Sequence, residues 1–140
     1  MTGRAEAFAE AAHALAGTPF RLHGRNAMTG IDCVGVVELA ALEAGIADRS
    51  LRGYRLRQTD IARWLPSAAE AGFAQASGSV ERGDLLLVRP GAGQHHLLVA
   101  LDAHRFVHAH AGLRRVTIQP APLPWPIEHH WRLREKQGQQ

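Results

Sequence analysis

From Gly83 onward the chain is a series of short β-rich runs with little between them: "GDLLLVRPG", "HHLLVALD", "HRFVHAH" and "RRVTIQP". Each is bounded by glycine, proline or aspartate turn residues. The first two are too continuously apolar to lie half-exposed, which places them centrally in an antiparallel sheet. The half of the chain before them reads as helix. Helices followed by consecutive strands predict an α+β domain, not a doubly wound one.

The N-terminal stretch "MTGRAEAFAEAAHALAG" reads as a short amphipathic helix, with Phe8, Ala11, Ala12 and Leu15 on one face and Gly17 as its stop. A loop punctuated by Gly17, Pro19, Gly24 and Gly30 follows. Asp32 is a good N-cap for a second helix running from about Cys33 to Ala44 and ending at Gly45. Only Glu38 and Glu43 carry charge in that helix, so it is expected to be buried. A polar connection from Asp48 to Gln58 leads to a third helical stretch, capped by Thr59, interrupted at Pro66 and stopped at Gly72. Neither a repeat nor a long linker divides the chain. The expectation is one domain over residues 1–140, with a polar, frayed tail at about 135–140.

A chain of 140 residues can bury a core without covalent staples. Its single cysteine excludes an intrachain disulfide framework and a multi-cysteine zinc site. The net charge is only +3, and the arginines are spread along the chain, densest at "RSLRGYRLRQ". Aromatic content of 6% supplies no stacking platform, so nucleic-acid binding is not expected. No apolar segment is long enough to span a bilayer. Glu6, Glu10 and His13 interrupt any signal-peptide core, which predicts a protein made and kept in the cytosol.

The lone thiol, Cys33, falls at the first turn of the second helix, where backbone dipoles and unpaired N–H groups favour thiolate. Nine histidines accompany it, clustered at His95 and His96, at His104, His108 and His110, and at His129 and His130. Strand alternation puts His95 and His96 on opposite faces and His108 and His110 on the same one. If the strands carrying His96 and His108 pair through the turn at "LDAHR", the two rings approach across the sheet. A cysteine facing such a pair makes a nucleophile–base–orienter arrangement. His95 is the rival base, and the facing of the strand decides between them. His110 is a further candidate as orienter or substrate contact. The competing chemistry is a metal bound by Cys33, His96, His108 and His110, but the short paired ligand spacing of zinc modules is absent, so no metal or other cofactor is expected. His129 and His130 read as surface or packing residues, His13 and His104 as solvated, and Trp64, Trp125 and Trp131 as core or interface anchors.

Taken in order, "GTPFRLHGR", "GIDCVGVV", "RGDLLLVRP", "HHLLVAL" and "RFVHA" resemble the motifs of the NlpC/P60 papain-like peptidases, over about residues 17 to 133. The resemblance implies helices packed on a central antiparallel sheet, and cleavage of bacterial cell-wall peptides. It assigns Cys33 as nucleophile, His96 as general base and His108 as the residue that orients it. Asp32 matches the family aspartate, and the Cys33 N–H would serve an oxyanion hole. Phe20 stands where the family commonly has tyrosine, leaving His23 or a water to supply the missing hydrogen bond. Val34 stands where a substrate-contacting serine is usual. The closing segment "PWPIEHHWRLRE" resembles that of compact members encoded with phage tail genes. This implies peptidoglycan peptide as substrate, tail or tail-like proteins as partners, and delivery to the wall by such a particle or by lysis. The alternative implied is a catalytically silent component of a tail-like assembly that keeps the fold.

Overall fold

The first helix, α1, runs Arg4–Ala14 and buries Phe8, Ala9 and Ala12, with Ala11 and Leu15 packed at the margin. The structure, a computed structural model, describes residues 3–46, 66, 68–91 and 94–134. α1 fails to continue past Gly17, whose φ of 93° is a conformation glycine adopts without strain. A two-residue hairpin follows, β1 (Arg25–Asn26) and β2 (Gly30–Ile31), and leads directly into α2 (Cys33–Glu43). Asp32 caps α2 as expected, accepting from the Gly35 N–H at 2.9 Å. Gly45 ends it with φ 75°. The near-absence of charge has the predicted result: most of α2 is buried, between α1 and the strands β5 and β6 introduced below. Glu38 is buried too, with its Oε1 3.9 Å from Arg25 Nε.

Residues 66 and 68–70 are helical, and the chain leaves this turn at Gly72, φ 106°. The expected cap at Thr59, Trp64 and the Asp48–Gln58 connection lie outside the described residues. Six strands follow: β3 (Phe73–Gln75), β4 (Leu85–Val88), β5 (His96–Asp102), β6 (Arg105–His110), β7 (Arg115–Pro120) and β8 (Ile127–Leu133). They form one antiparallel sheet in the order β3-β8-β4-β5-β6-β7. β4 and β5 are central, as their continuous apolarity requires. Alternation sends Leu85, Leu87, Leu97, Val99 and Leu101 into the core shared with the helices. Leu86, Val88, Leu98, Ala100 and Phe106 form a second cluster on the other face, packed by Val80, Ala121, Leu123 and Trp125. The β7–β8 connection thus carries Trp125 across the back of the sheet.

β8 lies between β3 and β4, pairing Phe73 with Leu133 and Leu85 with Trp131. Its alternate side chains close on Asp84, which is fully buried. Asp84 accepts from Arg132 Nε and Nη2, each at 2.9 Å, and from the Glu81 N–H at 2.9 Å, with His130 Nε2 at 2.6 Å. Burial alone would raise the Asp84 carboxyl, but the bonds from Arg132, His130 and Glu81 hold it below its ordinary value. His130 is therefore a packing residue with a specific partner. At the far edge, the loop after α1 lies along β7. Gly17 N–H donates to Val116 O at 2.8 Å, Phe20 N–H donates to Arg114 O at 2.9 Å, and Pro19 bridges to Arg115.

Candidate active site

The β5–β6 hairpin brings His96 and His108 together: His96 Nε2 lies 2.7 Å from His108 Nδ1, with the rings edge-on. A two-residue turn between Asp102 and Arg105, together with a one-residue irregularity between Ala100 and Asp102, sets this register. The strand's facing puts His96, not His95, beside His108. His95 instead directs Nε2 towards Glu128 Oε1 at 3.4 Å, and Glu128 also accepts from Arg89 Nε at 2.7 Å. Trp125 stands edge-on to both paired imidazoles, its centroid 6.1 Å from His96 and 5.8 Å from His108.

Cys33 opens α2 beside the start of β5, where its sulfur meets the Leu97 backbone N–H. The thiol, both paired imidazoles, His95, His110, Asp32, Phe20, Leu22, Pro90 and Trp125 line one open cavity of about 350 Å³. The walls are mostly apolar and aromatic, and the polar atoms are mainly imidazole nitrogens. Besides the Gly35 N–H of its own helix at 2.9 Å, Asp32 is held from two further sides, by His23 N–H at 2.8 Å and Arg25 Nη1 at 2.7 Å. It orders the approach to the thiol as well as capping α2.

Two of the sequence candidates sit elsewhere. Val34 is buried in the core shared with the helices, because position 34 of α2 faces inward, and it forms no part of the cavity lining. His23 has a left-handed backbone, φ 62°, and contributes its N–H to Asp32 while its ring is not among the lining groups. Phe20 does reach the cavity. Leu22 and Trp125 are lining residues that sequence reasoning did not assign to the site. Trp125 sits in a proline-rich connection, "PLPWP", whose course over the sheet no periodicity announces.

The expected thiolate is also corrected. Burial, and then the neighbouring Asp32 carboxylate, push the Cys33 thiol up to about 12, outweighing the Leu97 N–H and the Arg25 charge. Burial and the adjacent imidazoles push His96 down to about 3 and His108 down to about 4. All three shifts favour the uncharged forms and so oppose a thiolate–imidazolium pair at rest. His108 Nε2 is buried, and the nearby Gln119 side chain favours the charged ring without reaching hydrogen-bond geometry with that nitrogen. Among the described residues, no three His, Cys, Asp or Glu side chains are placed to hold a metal ion, and no helix is long and apolar enough to cross a membrane.

Comparison with known proteins bears on what this arrangement is. The model of the NlpC/P60 family matches residues 17–134. The chain belongs to the NlpC/P60 family. Among solved structures, this NlpC/P60 domain is similar to NlpC2 from Trichomonas vaginalis, at 15% identity and TM-score 0.70, covering 98% of this chain and 48% of that one. It is similar to the peptidoglycan hydrolase RipB from Mycobacterium tuberculosis, at 20% identity and TM-score 0.61, over 94% of this chain and 64% of the other. The P60 domain of an antigen from M. avium subspecies paratuberculosis matches at 19% identity and TM-score 0.56, over 91% and 92%. At these identities the structural likenesses show the shared fold, and the chain spans about half the length of the Trichomonas protein. Comparison with curated protein sequences returns no match.

Proposed function

We propose that this NlpC/P60 domain is a cysteine hydrolase that cleaves an amide bond in peptidoglycan stem peptides, with Cys33 as nucleophile, His96 as general base and His108 as the residue that orients it. The observation that carries the reading is the 2.7 Å His96–His108 contact at the wall of the cavity that Cys33 also lines. Family membership and a peptidoglycan hydrolase among the structural relatives support the substrate class.

The chemistry follows from which nitrogen holds which proton. With His96 Nε2 engaged to His108, Nδ1 is the ring's remaining base, and taking a proton there requires that Nε2 carry the other. His96 Nε2–H then donates to His108 Nδ1, and His108 keeps its own proton on Nε2. Because thiol and imidazole rest neutral, proton transfer from sulfur accompanies attack on the carbonyl and does not precede it. The Cys33 backbone N–H, at the first residue of α2, donates to the developing oxyanion. His96 returns the proton to the leaving amine, and water hydrolyses the thioester.

Digestion of purified peptidoglycan tests this. Release of new amino termini by the natural chain but not by Cys33→Ala is the expected result. Equal release by both, or none by either, would overturn it. The raised thiol gives a specific reason to consider the other outcome, a silent member that binds wall peptide within a tail-like assembly, for which binding without cleavage is the signature.

A further inference from the structure

His110 lies on the same face of β6 as His108, with ring centroids 5.3 Å apart, and lines the cavity beside Cys33. The turn that follows it is built around its ring. Leu113 N–H donates to His110 Nδ1 at 3.1 Å, and the turn closes with Arg114 N–H donating to Ala111 O at 3.2 Å. Gly112 makes the close approach possible: a Cβ there would lie 3.1 Å from His110 Cε1 and 3.4 Å from Nδ1. Arg114, with φ 61°, completes the turn, and its carbonyl accepts from Phe20 N–H, fixing the turn to another wall of the cavity.

A neutral imidazole has one donor and one acceptor nitrogen. Nδ1 accepts from the main chain, so the ring's proton is on Nε2. We propose that His110 is a substrate-binding residue that presents its Nε2–H in the cavity to an oxygen of the bound acyl group, a carboxylate in preference to an amide carbonyl. The assignment rests on the reading of this cavity as the peptide-binding site of a cysteine hydrolase. Charge decides the preference. A hydrogen bond to an ionised oxygen is roughly twice as strong as one between neutral groups. The other imidazoles are engaged differently, His96 and His108 with each other and His95 Nε2 towards Glu128, whereas His110 uses Nδ1 for the turn.

Two small alkylating reagents test this on the whole chain without peptidoglycan, so its failure is distinct from failure of the proposed function. Iodoacetate and iodoacetamide react with the same thiol and differ in presenting a carboxylate or a neutral carboxamide. His110→Phe keeps a ring and removes the donor, and His110→Gln restores an N–H at a similar reach. The ratio of iodoacetate to iodoacetamide rate constants at Cys33 is expected to fall about tenfold in His110→Phe and to recover to within about twofold in His110→Gln. An unchanged ratio in His110→Phe, or no recovery in His110→Gln, would overturn the assignment. Nitrogen-15 spectra of the natural chain give a readout that does not depend on the thiol: a proton on Nδ1 of His110, in place of Nε2, sinks the proposal.

Discussion

At the start of α2 two opposing influences act on one sulfur atom, and the structure shows which is larger. Helix dipole and backbone donors favour a thiolate, yet burial and the carboxylate of the preceding residue, Asp32, push the Cys33 thiol up to about 12. Alkylation of Cys33 should therefore keep accelerating as pH rises through 9 and 10, where an ordinary thiol of about 8.5 levels off. A plateau below pH 8 would show that an ion pair forms after all. His96→Ala should lower kcat on wall peptide by about 100- to 10,000-fold with little change in KM, the usual share of a positioned acid–base group. Steady-state kinetics with a defined stem peptide would measure it. The identities of Cys33, His96 and His108 as a group were legible in the sequence, because a helix start and two positions on one hairpin fix where side chains point. Their protonation was not legible. It depends on how the thiol is packed and on the field of the Asp32 carboxylate, and neither is written in local spacing. The same limit explains Val34, where a motif position suggested a substrate contact and the helix phase made it core.

The elements that place this site are held by a few close contacts. Gly35, in the first turn of α2, lies where a Cβ would stand 2.5 Å from Gly24 O and 2.9 Å from Ile31 Cβ. Gly35→Ala must push the helix start off its loop, and is expected to cost about 1–3 kcal/mol with loss of thiol reactivity. Denaturant unfolding alongside alkylation would separate the two effects. Asp84 is the corresponding point on the sheet. Asp84→Ala removes the shared partner of half-buried Arg132 and His130 and should destabilise by about 1–3 kcal/mol, read by chemical denaturation. The strands β4 to β7 were evident from apolar runs broken by turn residues. β8 was not evident from its own pattern. "IEHHWRL" has only Trp131 and Leu133 buried, and its His130 and Arg132 are explained by one aspartate 46 and 48 residues earlier. β3 is three residues long and takes its strand character from β8.

For the molecule as a whole, the two depressed imidazoles couple folding to acidity. Both imidazoles protonate near 6.5 when unfolded, but only at about 3 (His96) and about 4 (His108) in the folded chain. Between those limits the unfolded state binds more protons, so stability falls as pH drops from 6.5 towards 4. Unfolding near pH 5 should take up about two protons more than unfolding at pH 8, and His96→Gln should flatten that slope. Denaturant midpoints measured from pH 4 to 8 would reveal it, and a pH-independent midpoint would contradict it. Asp84 adds to the loss only at lower pH. Its stabilisation is present above its ordinary value of 3.8 and disappears as pH falls through the lower folded value.

The position of β8 also has a consequence for the order in which the chain can be finished. Cys33, His96, His108 and His110 are all synthesised before Ile127, yet the slot between β3 and β4 is filled only by Ile127–Leu133. Until that segment is available, β3 and β4 have no strand between them and Asp84 lacks Arg132 and His130. The nascent chain therefore carries all four of these cavity-lining residues before it has the strand that completes the sheet.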